Sequence, residues 1–149
     1  MKGLGRNIKK VLLFLLLISF ASPYAQKKYF ASPKEVNEFS KKSTVLFKEG
    51  KFADFFNELK SYWPLPDNEI ISLEDKTVQF MELLQSRFGA VETASKIKEE
   101  KISDFAIRET YILRFENQAI RLIYVYYKNK KGWILNSFKW DDEFTQEFK

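Results

Sequence analysis

The spacing of apolar residues changes once along this chain, at Gly89, and that change dictates the class of fold. Before Gly89 apolar residues recur every three or four positions; after it they alternate. The first spacing marks the buried stripe of a helix, the second one face of a strand. Helices first and strands afterwards predict an α+β chain with an antiparallel sheet, not repeated parallel βαβ units.

Three helices are expected. Ser32-Pro33-Lys34-Glu35 opens the first: Ser32 caps it, Pro33 suits the first helical position, and Glu35 completes a capping box. Val36, Phe39, Ser43 and Leu46 follow at helical spacing and Gly50 stops the helix, which covers about residues 33–48. Phe52, Phe55, Phe56, Leu59 and Tyr62 line one stripe of a second helix, ended by Trp63-Pro64-Leu65-Pro66. Residues 67–72 read as a connection. The third helix begins near Leu73, with Ser72 and Asp75 as a capping pair, and buries Val78, Met81, Leu84 and Phe88 with Phe80 and Leu83 beside them.

Strands are expected at 91–102, 105–116, 119–128 and 133–140, the last three rich in β-branched and aromatic residues. Turns fall at Asn117-Gln118 and at residues 128–132. The first turn sets Phe115 opposite Ile120, Leu113 opposite Leu122, Tyr111 opposite Tyr124 and Glu109 opposite Tyr126. A slip of one residue would pair Leu113 with Arg121 and is rejected. The second turn sets Tyr126 against Ile134, Tyr124 against Asn136, Leu122 against Phe138 and Ile120 against Trp140.

On this register the sheet has an apolar inner face for the helices. Its polar members, Glu109, Tyr111, Tyr124, Tyr126 and Asn136, are candidate pocket residues. A buried carboxylate among hydroxyls can act as an acid or base. It can equally be a core group that the tyrosines and the amide satisfy. The outer face carries Arg114, Arg121 and Lys139 in one row, with Tyr127 and Trp133 nearby. Like charges side by side invite an anionic partner or the acids of a neighbouring subunit. These five are interface candidates. Asp141-Asp142-Glu143 has no cation-binding spacing and reads as a solvated strand end.

The N-terminus reads differently. Lys2, Arg6, Lys9 and Lys10 precede an apolar run over 11–21 and small residues up to Ala25. This is the layout of a secretory signal peptide over residues 1–25, cleaved before Gln26, and it predicts export to the periplasm or beyond; the alternative is that the run is retained as an anchor helix. The leader takes four of the 25 basic residues and none of the 20 acidic ones, so residues 26–149 carry only +1. Bulk charge therefore gives no support to a nucleic-acid partner. The chain has no His and no Cys. That removes imidazole catalysis, thiol nucleophiles and most soft-metal sites, and leaves packing without disulfides to hold the fold. No phosphate loop, nucleophile elbow or zinc spacing occurs, so no catalytic residue, cofactor or metal is assigned.

The turn F-K-E-G-K-F-A-D-F-F, the pair Phe88-Gly89 and the segments over 111–116 and 133–138 together resemble the nuclear transport factor 2-like, or cystatin-like, superfamily. The segment over 132–144 also resembles the C-terminal end of small exported bacterial proteins in that superfamily. The resemblance implies one domain over 26–149, with three N-terminal helices packed on a curved antiparallel sheet of about four strands. It also implies a cone with a pocket between them. Members include lyases and isomerases with pocket Asp, His or Tyr, and many binding or dimerising modules. This chain lacks the pocket His. It is expected to be a non-catalytic interaction domain, with a small hydrophobic ligand, a second copy or an envelope protein as partner. The alternative is an acid–base lyase or isomerase that uses Glu109 and the tyrosines.

Overall fold

The computed structural model describes residues 27–149; the expected signal peptide lies outside the described residues. Helix α1 spans Pro33–Lys48, α2 Phe52–Tyr62 and α3 Asp67–Phe88. Strands β1 (Val91–Ile102), β2 (Ala106–Phe115), β3 (Ala119–Asn129) and β4 (Gly132–Asp141) follow, and a 3₁₀ turn over Phe144–Phe148 ends the chain. The four strands form one antiparallel sheet in sequence order. Three helices on one such sheet is the expected α+β architecture.

The start of α1 follows its residues. The Ser32 hydroxyl accepts the Glu35 N–H at 3.3 Å, and the Glu35 carboxylate accepts the Ala31 N–H at 2.8 Å. This is a capping box displaced by one residue. Helix α3 starts six residues earlier than expected, and 67–72 is helix, not connection. Pro66 ends the preceding segment and also opens this helix. Asp67 and Glu69 suit the positive end of the helix dipole. Ile70, buried, extends the stripe formed by Thr77, Met81 and Leu84. Leu83, expected beside that stripe, is exposed.

The sheet registers correct the expected ones. Between β2 and β3, Leu113 faces Ile120, Tyr111 faces Leu122, Glu109 faces Tyr124 and Ile107 faces Tyr126. The reversal turns on Glu116-Asn117, because Phe115 donates its N–H to the Gln118 carbonyl. The shift is two residues, so the inner face survives. Between β3 and β4, Leu122 faces Trp140 and Tyr124 faces Phe138, but Tyr126 faces Leu135, with an irregularity after Val125. Asn136 is the extra residue of a β-bulge. Ahead of it the strand's faces are reversed, so Trp133 and Leu135 are buried in the core and Asn136 is exposed. Gly132 has φ +135°, and a Cβ there would come within 2.7 Å of the Phe30 carbonyl. That leaves glycine as the fit for this reversal.

Aromatic residues fill the space between sheet and helices. Phe138 packs on Phe55 at 4.9 Å and Tyr124 at 5.0 Å between ring centroids, and Phe30 stacks on Tyr62 at 3.9 Å. Trp140 stacks on Phe80 at 4.4 Å and donates to the Thr77 hydroxyl at 2.9 Å. The buried cluster runs from Phe30 to Phe138, so residues 27–149 carry this core by themselves.

The bulge makes a sharp prediction. In residues 27–149 with Trp63→Phe and Trp140→Phe, Trp133 is the remaining indole. It should emit at the short wavelengths of a buried ring and resist acrylamide. Emission typical of water would return Trp133 to the outer face.

Candidate functional site

The polar residues of the inner face separate into two groups. Tyr124 and Tyr126 are wholly buried. The Tyr126 hydroxyl pairs with the Ser40 hydroxyl at 2.6 Å and the Tyr124 hydroxyl with that of Thr44 at 2.9 Å. Burial pushes both phenols well above their ordinary pKa; the bonds to Ser40 and Thr44 oppose this without cancelling it. Tyr111 is raised too, by burial first and then by the Glu109 carboxylate. A phenol held neutral by burial is fixed as a hydrogen-bonding core group.

Glu109 belongs to the second group, at the edge of the core. It is 1 % exposed. Its Oε1 accepts from Lys96 Nζ at 2.7 Å and from Asn37 Nδ2 at 3.0 Å, while Oε2 is buried without a partner. Lys96 also donates to Glu99 at 2.6 Å. A second bulge creates this bridge. The β1–β2 register breaks between Lys96 and Lys98, leaving Ile97 extra, so Lys96 faces Tyr111 and Glu99 faces Glu109. Three residues apart in a regular strand, Lys96 and Glu99 would point to opposite sides. Burial works to lower the Lys96 ammonium, but Glu109 and Glu99 together raise it above its ordinary value. The ion pair, with Asn37, satisfies Oε1 of Glu109, while Tyr124 and Tyr126 satisfy hydroxyls of α1.

The outer face differs from its expected pattern. Arg121 faces Ile112 on β2 and Asp141 on β4, Arg114 faces Ala119, and Lys139 faces Ile123, so the expected basic row does not form. Arg121 is 5 % exposed. Its guanidinium forks onto Asp141 at 2.7 and 2.9 Å and reaches Glu147 at 2.6 Å. That pairing draws the C-terminal 3₁₀ turn over the sheet. Asp141 is therefore a half-buried partner of Arg121, not a solvated strand end. Burial alone would raise its carboxyl, yet Arg121 and the Glu143 N–H bring it below its usual value. Arg114 is exposed and donates to the Thr93 hydroxyl at 2.7 Å. Lys139 reaches Asp141 at 3.3 Å. Tyr127 is 47 % exposed. Beside the C-terminal turn lies a groove of about 260 Å³, lined by Thr110, Ile123, Val125 and Ser137 and walled by Arg108, Lys139 and Glu147.

A larger cleft of about 430 Å³ runs between α1 and α2, and Leu46 is the one apolar residue in its lining. A ligand pocket is mostly apolar with a few polar groups; this cleft is the reverse, and Lys42 and Glu58 pair beside it at 2.9 Å.

The chain matches no family model and no curated protein. One solved structure is similar, a chain from Campylobacter jejuni provisionally described as an NTF2-like transpeptidase, at 16 % identity and a TM-score of 0.43, covering 72 % of this chain and 99 % of that one. A likeness of this extent carries no argument about activity. The architecture rests on the element order and registers above.

Removing Lys96 tests the inner cluster. Lys96→Met leaves a buried carboxylate without its cation and should cost about 3–5 kcal/mol of unfolding free energy. Adding Glu109→Gln should return most of that loss. Urea unfolding of the two variants measures both; a loss in Lys96→Met that Glu109→Gln does not relieve contradicts the pairing.

Proposed function

We propose that this protein is an exported interaction domain that binds through the outer face of its sheet, and that the partner on that face is a second copy of the chain. The observation that carries this reading is the outer groove. Its floor includes Ile123 and Val125, while its walls hold both signs of charge, Arg108 and Lys139 against Glu100 and Glu147. A two-fold contact places each patch on its own copy, and a patch with both signs is self-complementary. At about 260 Å³ the groove also falls below the usual 300–1,000 Å³ of a small-molecule pocket. Export is supported by the leader-like sequence over residues 1–25.

A catalytic use of Glu109 has one point in its favour, the unpartnered Oε2. Against it, Oε1 is held by Lys96 and Asn37, and the hydroxyls of Tyr124 and Tyr126 are engaged with α1, which leaves Tyr111 alone of the three tyrosines as a donor. An oxyanion donor must be free to turn to a substrate. The interaction reading is therefore preferred over the lyase or isomerase reading.

Light scattering of residues 27–149 should show a dimer that dissociates on dilution. Val125→Arg, which places a long charged side chain in the groove, should leave a folded monomer by circular dichroism. A wild-type chain that stays monomeric at high concentration, or a Val125→Arg chain that still dimerises, contradicts the outer-face interface.

A further inference from the structure

The β1–β2 and β3–β4 turns lie at the same end of the sheet, because the strands are antiparallel in sequence order. Three large apolar residues are left exposed there: Ile102 at 64 %, Phe105 at 42 % and Tyr127 at 47 %. The rings of Phe105 and Tyr127 meet edge to face at 6.3 Å. The Lys128 N–H donates to the Phe105 carbonyl at 2.8 Å, which ties the two turns together. An open groove of about 300 Å³ at the same end is lined by Pro33, Ile107, Lys128 and Trp133 among others.

Lysines surround this patch. Lys128, Lys130 and Lys131 are exposed, and none of them forms an ion pair among the described residues. Lys131 sits 5.7 Å over the Tyr29 ring. Asp104 is the one carboxylate among the residues of the two turns. The opposite end of the sheet carries Glu116, Asp142 and Glu143. A domain of almost no net charge is therefore polarised along its strands.

We propose that this lysine-rich end is a docking surface for a bilayer containing anionic phospholipid. Lysines beside a negatively charged membrane each add about five-fold to binding. Aromatic side chains at the same level sit at the depth where headgroups meet acyl chains. The charge type points to a diffuse surface. The cations of the two turns are lysines, flexible point charges, and the arginine forks that select discrete phosphates or carboxylates are absent from them; Arg108, farther along β2, is held by Glu100. The proposal does not depend on the outer-face dimer, whose groove lies farther along the strands.

Co-sedimentation of residues 27–149 with phosphatidylcholine vesicles, with and without a third of phosphatidylglycerol, tests it. Binding should require the anionic lipid and weaken as salt is added. The triple variant Lys128→Gln, Lys130→Gln, Lys131→Gln should bind about a hundredfold more weakly. The same charge change on the helices, Lys41→Gln, Lys48→Gln, Lys76→Gln, should leave binding near the wild-type value. Phe105→Ser with Tyr127→Ser should weaken binding without altering its salt dependence. Circular dichroism confirms that each variant is folded. The proposal is overturned by an absence of binding to anionic vesicles, by equal binding to neutral ones, or by equal losses in the two lysine triples.

Discussion

Two hydroxyl pairs between α1 and β3 set the arrangement on which the rest of the molecule depends. Ser40 and Thr44 are four residues apart on a helix, a rise of about 6 Å. Tyr124 and Tyr126 are two apart on a strand, a rise of about 6.6 Å. The near match lets Ser40 meet Tyr126 and Thr44 meet Tyr124 together. A helix that slid by one turn would bury phenols without partners, at about 1–3 kcal/mol each. The same pairing explains why the buried stripe of α1 contains Ser40 and Thr44 between Phe39 and Phe47. Small polar residues there make room for the tyrosine rings. Among the described residues those rings pack with Phe138, Phe55 and Phe47 between the helices and the sheet.

Charge is handled by two clusters on opposite sides of the sheet. On the inner side Lys96 bridges Glu99 and the buried Glu109. On the outer side Arg121 gathers Asp141 and Glu147 and holds the C-terminal turn in place. Breaking either would leave a charge stranded away from water, which costs more than the intact pair contributes. Both clusters therefore act as positional devices. One closes the open edge of the core. The other holds the C-terminal turn over part of the outer face.

The helices and the strand order were legible because each follows a periodicity that persists for several turns or pairs. Val36 and Phe39, or Leu113, Ile120 and Leu122, announce their faces without ambiguity, although Phe47 and not the expected Leu46 is the buried residue at the end of α1. What sequence reading missed follows from single residues that interrupt the period. Ile97 and Asn136 each add one residue to a strand and reverse the faces on one side of themselves. Trp133 and Asn136 consequently exchanged their expected environments, and Lys96 joined Glu109. The turn chemistry held part of the answer. Asn129 accepts the Lys131 N–H at 2.8 Å and Gly132 takes a positive φ, so the reversal is tight around Lys130-Lys131. The tighter turn and the bulge at Asn136 each shift the register by one residue, and together they bring Asp141 opposite Arg121 and dissolve the basic row. Glu109 and the tyrosines were correctly placed inside, but their partners on α1 and β1 lie too far away in sequence for pattern reading to supply.

The central claim is that the interior is full and that recognition takes place on the outside. Native mass spectrometry of the protein purified without denaturation from the cells that make it addresses this most directly. The account predicts a polypeptide beginning at Gln26, present as bare monomer and dimer masses. A retained small molecule of a few hundred daltons that leaves only on unfolding would contradict it and reopen the inner face as a binding site.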